Sequence, residues 1–161
     1  MKAFLVVLFV VISAVHVCAD DLRNQIVMEP LSVESRNGNV YRFKVEMAET
    51  REQQATGLMG RQYLGSYEGM LFNFKIEKYV TMWMYNTPLS LDMIFISKEG
   101  KVVAIADSTV PFSVKKIKSS VPVLAVLEIQ GGRAETLGIE EGDRVRHRIF
   151  AGDIEQKNYN N

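Results

Sequence analysis

The sequence has very little cysteine or histidine. Its 161 residues include one cysteine and two histidines, and Cys18 and His16 both precede residue 20. Beyond that point the chain has no thiol to form a disulfide or to act as a nucleophile. Charge of one sign is also missing, because 19 basic residues balance 19 acidic ones. This balance gives no long-range field to attract a phosphate backbone or an anionic membrane surface, so we expect no nucleic-acid partner.

Cofactor motifs are missing as well. Gly131-Gly132-Arg133 precedes a short helical pattern, but no Walker lysine and hydroxyl pair follows it. His147 alternates with Arg144, Arg146 and Arg148, which predicts a solvated arginine face and a histidine on the opposite side of a strand. We therefore predict no bound cofactor, and the sequence favours a binding role over catalysis.

Residues 1–19 are typical of a secretory signal peptide. Lys2 precedes an apolar run from Ala3 to Val15, and Val17 and Ala19 occupy the minus three and minus one positions of a cleavage site. The run is about 13 residues long, shorter than the roughly 20 that cross a bilayer. This length favours cleavage over retention as a membrane anchor.

The resulting organisation is a signal peptide at 1–19, one domain at 20–152 and a polar tail at 153–161. We expect an exported protein, periplasmic or extracellular, with no stable membrane span after cleavage. Anchoring through an uncleaved leader is the alternative. The sequence carries no signal for an oligomeric state.

A hairpin and a short helix open the domain. Asn37-Gly38 separates two alternating runs, which predicts a tight turn with the apolar side chains of 41–47 on one face. Thr50 and Gln53 have the spacing of a capping box, and Gly57 is placed to end the helix that follows.

Most of the remaining chain predicts strands. The apolar runs are rich in aromatic and β-branched residues and are separated by polar turns. A helical turn from Arg133 and a closing strand through Ile149 and Phe150 complete the pattern. The other predicted strands are Met70 to Phe74, Tyr79 to Tyr85, Leu89 to Ile96, Val102 to Ile105 and Val121 to Ile129. The fold class is therefore mainly β: a single-domain antiparallel β-sandwich or partly closed barrel with one or two short helices.

Several blocks, taken in order, resemble domain-of-unknown-function family 192. They are Gly57-Leu58-Met59-Gly60-Arg61, Glu68-Gly69-Met70-Leu71-Phe72, Met82-Trp83-Met84-Tyr85-Asn86-Thr87, Leu91-Asp92-Met93-Ile94-Phe95-Ile96, Val126-Leu127-Glu128-Ile129 with Gly131-Gly132, and Leu137-Gly138-Ile139 with Gly142-Asp143. The resemblance covers roughly residues 40–145. It implies a compact β-rich domain that is often exported, and it implies no particular activity.

Asp92 is the most informative polar residue. Strand alternation places it on a face shared with isoleucines, where an unpaired carboxylate costs several kcal/mol. Arg51 and Arg61 are candidate cations, and Asn86 and Thr87 can donate from the preceding turn. Alternatively, Asp92 accepts hydrogen bonds from backbone N–H groups and ties a turn or a helix end to the sheet.

Trp83 is the candidate stacking surface. Alternation places it with Tyr85 on one strand face. A flat ring beside Arg61, Asn86 and Asp92 would suit a sugar or another small polar ligand, although a core position for Trp83 explains the pattern as well. Arg61, Trp83, Asn86 and Asp92 are therefore the predicted ligand-binding residues of a module for a small polar or carbohydrate-like ligand.

Two other functions compete with this one. Asp92 and Glu128 could be the carboxylate pair of a glycan-acting envelope enzyme, or each could be only an ion pair or polar anchor. Met82 and Met84 on one strand face could bind Cu(I), although methionine also fills gaps in cores.

Secretion in a bacterial host should yield a chain that begins at Asp20. Mass spectrometry of the exported protein measures this directly. Recovery of a full-length chain that still carries residues 1–19 from the membrane fraction would contradict cleavage.

Overall fold

The computed structural model describes residues 28–150, so the predicted signal peptide and the polar tail lie outside the described residues. Within that range the chain forms nine strands and two short helices. They are β1 Met28–Glu34, β2 Val40–Ala48, α1 Arg51–Thr56, β3 Glu68–Lys78, β4 Thr81–Met82, β5 Leu91–Ile96, β6 Val102–Ala106, β7 Ile117–Lys118, β8 Val123–Gln130, α2 Arg133–Leu137 and β9 Arg144–Arg146. Neither helix is long or apolar enough to cross a bilayer.

Seven strands form one sheet in the order β6-β5-β8-β3-β2-β1-β9, and β4 and β7 form a separate ribbon. The amide of Val145 donates to the carbonyl of Gly100 (2.7 Å), and that of Val102 donates to Asp143 (2.9 Å). These bonds join the two edges of the sheet, which curls into a partly closed barrel. The mainly β prediction is confirmed. Among the described strands, only β2 and β3 pair in parallel. α1 and the loop after it bring the chain back from the end of β2 towards the side of the sheet where β2 began, so that β3 runs in the same direction.

Both faces of the sheet are buried. The inner apolar cluster draws on all seven strands, and the outer cluster combines sheet residues such as Phe72 and Met93 with loop residues such as Leu58 and Met84. Burial on two faces explains why β5 and β8 read as nearly continuous apolar runs rather than as alternating ones.

The hairpin and the helix cap are confirmed. β1 pairs with β2 around the Asn37-Gly38 turn. The amide of Gln53 donates to Thr50 Oγ1 (3.1 Å), and the amide of Thr50 donates to Gln53 Oε1 (2.9 Å), which completes the capping box. Six residues make a marginal helix, so α1 depends on this cap and on the packing of Leu58 just beyond it.

Three strand predictions are wrong in extent. β3 continues through residues 75–78, which were expected to separate strands, because a bulge with Lys75 at φ +68° turns the strand without ending it. Of Tyr79 to Tyr85, only Thr81–Met82 is a strand, since the chain turns where the amide of Thr87 donates to the carbonyl of Met84 (3.1 Å). The closing strand ends at Arg146, short of Phe150.

Asp92 is fully buried, and its partners are backbone amides. Its carboxylate accepts from Ser108 (2.7 Å), Gly132 (2.9 Å) and Ala134 (2.7 Å). It therefore ties β5 to the loop after β6 and to the start of α2. The predicted charge pair with Arg61 is wrong, because the Arg61 guanidinium binds Glu46 instead (2.5 Å).

Replacing Asp92 with Asn should lower the free energy of unfolding by about 2–4 kcal/mol, because the amide NH₂ would face N–H donors and leave buried groups unpaired. Urea denaturation measures the change. Asp107→Asn is the matched control: this exposed side chain should change stability by less than about 0.5 kcal/mol. Equal stability of the two variants would contradict the structural role.

Candidate functional site

A small pocket of about 60 Å³ opens on the outer face of the sheet. It lies between the end of α1, the segment around Trp83 and the middle of β8. Its lining residues are Gln54, Ala55, Thr56, Gly57, Leu58, Met59, Phe72, Thr81, Met82, Trp83, Thr87 and Glu128.

The loop after α1 is held close against the sheet to form one wall. Gly57 has φ +48°, and a Cβ there would lie only 3.1 Å from the Phe72 ring. Glycine is needed at this position, both for its backbone angle and for the close approach. The amide of Gly60 then donates to the carbonyl of Asn86 (2.9 Å). This bond ties the wall to the turn that carries Trp83 and Thr87.

Glu128 lies at the floor of the pocket. It is paired with Met70 of β3 on one side and with Met93 of β5 on the other, so its side chain emerges on the outer face of the sheet. The residue is 4% exposed. Within residues 28–150, neither a side chain nor a backbone amide forms a hydrogen bond or an ion pair with its carboxyl group.

Burial in these apolar surroundings raises the pKa of Glu128 to about 8, from an ordinary value of 4.5. Desolvation is the cause, since it penalises the charged form. At pH 7 the group is therefore a neutral carboxylic acid with one O–H donor. Such a donor suits an uncharged acceptor, such as a carbonyl or hydroxyl oxygen.

The size of the pocket limits what can enter it. A water molecule needs roughly 10–15 Å³ of such space, so about 60 Å³ holds a few water molecules or one small chemical group. Pockets that enclose a whole ligand are roughly 300–1,000 Å³. The space beside Glu128 is therefore too small to enclose a whole ligand.

Trp83 forms part of that rim. Its side chain is 52% exposed, and its ring centroid lies 6.1 Å from that of Tyr85. The alternative of a core position is therefore wrong for Trp83. The predicted strand face shared with Tyr85 is wrong as well, because β4 ends at Met82, although the two rings lie close together. The Trp83 ring therefore offers an apolar face at the edge of the Glu128 pocket, and the Tyr85 ring lies beside it at an angle of 53°.

The four predicted ligand-binding residues do not line this pocket together. Trp83 is at the rim, whereas Arg61 is paired with Glu46 and Asp92 is enclosed by backbone donors. Asn86 is exposed, and its carbonyl holds the loop after α1. A ligand-binding role for Arg61 or Asn86 stays a prediction.

The proposed Asp92 and Glu128 catalytic pair is wrong. Met93 is paired with Glu128 and therefore shares its face, whereas Asp92 is the next residue along β5 and faces the inner side. The sheet itself separates the two carboxyl groups. An ion pair for Glu128 is also wrong, since no cation of the described chain reaches it.

The arrangement expected for a copper site is absent from the described chain. β4 ends at Met82, so Met84 does not share its strand, and Met84 Sδ accepts a hydrogen bond from Thr109 Oγ1 (3.2 Å). No three His, Cys, Asp or Glu side chains between residues 28 and 150 come together as a metal site. His147 is buried, as strand alternation predicted, with Nε2 3.0 Å from Glu29 Oε2.

The sequence did not indicate that residues 54–59 would form one wall of the pocket, or that Thr87 would also line it. The available signal was Glu128 itself, a single carboxyl in an apolar strand. Which loop would cover it depends on the path of the chain after α1, and no local pattern encodes that path.

Comparison with known proteins places the chain in a family. The model of domain-of-unknown-function family 192, described as "Uncharacterized ACR", matches residues 32–147. A proposed transcription regulator from Sinorhizobium meliloti has a similar structure, with 37% identity and a TM-score of 0.74 over 75% of this chain and 94% of that one. A Novosphingobium aromaticivorans protein of unknown function has 41% identity and a TM-score of 0.72 over 74% and 85%. No curated protein matches.

Four of the blocks that carry the family resemblance meet at the pocket. They supply the loop of Gly57 to Met59, then Phe72, Trp83 and Glu128. The match over most of the described chain and the shared structure lead to one conclusion: this protein belongs to domain-of-unknown-function family 192.

Proposed function

We propose that this protein is a binding module for a small polar or carbohydrate-like ligand. The observation that carries the proposal is the buried Glu128 carboxyl, which faces a pocket and has no partner within the described chain. The signal peptide predicted at residues 1–19 makes this an exported binding protein, as part of the same proposal.

A structural role alone does not account for Glu128. The outer cluster around it consists of apolar side chains such as Phe72, Met93 and Val126, and an apolar residue would pack there without a desolvation cost. Removing a carboxyl group from bulk water without a protein partner costs free energy, and the Glu128 carboxyl reaches only the small space of the pocket. Groups with strongly shifted pKa values that lie in clefts are concentrated at functional sites. A hydrogen bond to a ligand would offset the cost.

The ligand follows from the two parts of the site. The narrow floor accepts one uncharged hydrogen-bond acceptor, such as a hydroxyl or an amide carbonyl. The rim offers the exposed ring of Trp83 to a flat, partly apolar body, with the tilted ring of Tyr85 beside it. A sugar ring with a protruding substituent has both features, since the substituent fits the floor while the ring stacks outside.

The composition of the pocket favours binding over hydrolysis. Among its lining residues, all within the described chain, Glu128 is the only one that is ionisable near neutral pH. Two-carboxylate glycan hydrolysis requires a second acid roughly 5–10 Å away across the scissile bond, and Asp92 lies on the opposite face of the sheet.

Intrinsic fluorescence offers a direct test, because Trp83 is the only tryptophan. Titration with N-acetylglucosamine, glucose and glycerol, with glucuronate as a charged comparison, should change Trp83 emission for at least one neutral sugar. Affinity should be constant at acidic and neutral pH. It should fall by about tenfold per unit above a pH of about 8, where Glu128 loses its proton.

Variants at Glu128 separate the hydrogen bond from the charge. Glu128→Gln keeps a donor and should bind without this pH dependence, whereas Glu128→Leu should lose at least about tenfold in affinity. Tyr63→Ala is the control, since Tyr63 is exposed and does not line the pocket. If no sugar or polyol changes either Trp83 emission or the melting temperature, the proposal fails.

A further inference from the structure

A second surface feature lies beside the pocket. Five exposed apolar side chains lie on two adjoining segments, and we call them the Phe112 surface: Trp83, Tyr85, Val110, Phe112 and Val114. Backbone hydrogen bonds join the two segments that carry them. The amide of Met84 donates to Ser113 (3.0 Å), and the amide of Phe112 donates to Thr87 (3.0 Å). Clustered exposed apolar side chains of this kind mark interaction sites more often than single exposed ones.

Phe112 is held in an unfavourable conformation. Its φ is +59°, a region that favours glycine and asparagine over bulky residues, and its side chain is 60% exposed. The strain therefore presents an aromatic ring to solvent, without the compensation of burial. An observed backbone outlier of this kind supports a functional role for the residue.

The loop that carries Phe112 is firmly anchored at its start. Thr109 is buried, its amide donates to the carbonyl of Leu91 (2.9 Å), and its Oγ1 accepts from the amide of Leu91 (3.1 Å). The carbonyl of Thr109 also accepts from Ser90 Oγ (2.9 Å). The ring is thus presented from a fixed base.

The charged residues of segment 108–119 all have one sign, and the exposed Asp107 directly precedes this segment. Lys115, Lys116 and Lys118 are all exposed, and none forms an ion pair with another residue between 28 and 150. No acidic residue occurs from 108 to 119. Lysine is depleted in protein–protein interfaces, whereas aromatic and aliphatic side chains flanked by lysine are typical of surfaces that bind anionic membranes.

We propose that the Phe112 surface docks this protein onto an anionic lipid bilayer. The apolar side chains enter the headgroup boundary, and the three lysines lie at the level of the lipid phosphates. Each lysine near such a surface raises partitioning by roughly fivefold. This inference does not depend on the ligand proposed for the Glu128 pocket.

Binding of the whole protein to lipid vesicles tests the proposal. The protein is mixed with vesicles of phosphatidylcholine alone, or of equal parts phosphatidylcholine and phosphatidylglycerol. Sedimentation should show at least about tenfold stronger binding to the anionic vesicles, weakened by added salt. The emission of Trp83 should shift to shorter wavelength on binding. No binding to anionic vesicles would overturn the proposal and leave the surface to a protein partner.

Phe112→Asn separates docking from structure. Asparagine tolerates a positive φ, so this variant should fold with unchanged or higher stability, yet bind anionic vesicles at least about fivefold more weakly. Replacing Lys115 and Lys116 with Gln should remove most of the salt dependence. Tyr63→Ala, an exposed aromatic change elsewhere, should bind as the parent does. Unchanged vesicle binding by Phe112→Asn would overturn the proposal.

Discussion

Removing a carboxyl group from water is costly, and this constraint shapes the whole sheet. Asp92 and Glu128 occupy neighbouring strands, and both are almost completely buried, but they lie on opposite faces. On the inner side, three backbone amides solvate Asp92 in place of water. On the outer side, Glu128 has no such replacement within the described chain and therefore keeps its proton at neutral pH. Asp92 therefore stabilises the fold, and Glu128 marks the candidate site.

Two loop segments on the outer face of the sheet form a pocket above the buried Glu128. The loop after α1 and the segment of residues 81–87 cover the outer face, joined by the bond between Gly60 and Asn86. They leave a gap above Glu128 that only a small group can enter. Because the same segment carries Trp83 and is hydrogen-bonded to the loop of Phe112, the proposed ligand site and the proposed membrane surface adjoin each other.

The parts of the fold that local patterns govern could be predicted from the sequence. The Asn37-Gly38 hairpin, the capping box of Thr50 and Gln53 and the buried Asp92 each follow from a few neighbouring residues. Tyr79 to Tyr85 shows the limit of this reasoning. Its apolar composition predicts a strand, but hydrogen bonds to a distant loop, such as that from Met84 to Ser113, decide its conformation. Tertiary contacts override local propensity there.

The site was only partly predictable for the same reason. Trp83 and Tyr85 lie close together, but in an irregular segment after β4 rather than on the strand face that alternation predicts. No pattern indicates that Arg61 would pair with Glu46 rather than with Asp92. Strand pairing also decides whether two carboxyl groups share a face, and the sequence spacing of Asp92 and Glu128 carries no such information. A carboxyl group in an apolar strand makes Glu128 conspicuous in the sequence. Its lack of a hydrogen-bond or ion-pair partner within the described chain, however, depends on how the neighbouring strands and loops pack.

The most direct measurement is an NMR titration of the Glu128 side-chain carboxyl carbon in ¹³C-labelled protein, assigned by its loss in Glu128→Gln. A carboxyl group buried without a charged partner predicts a pKa of about 8. A pKa near the ordinary value of 4.5 would mean that Glu128 is solvated or paired at neutral pH, and it would contradict the account of the site.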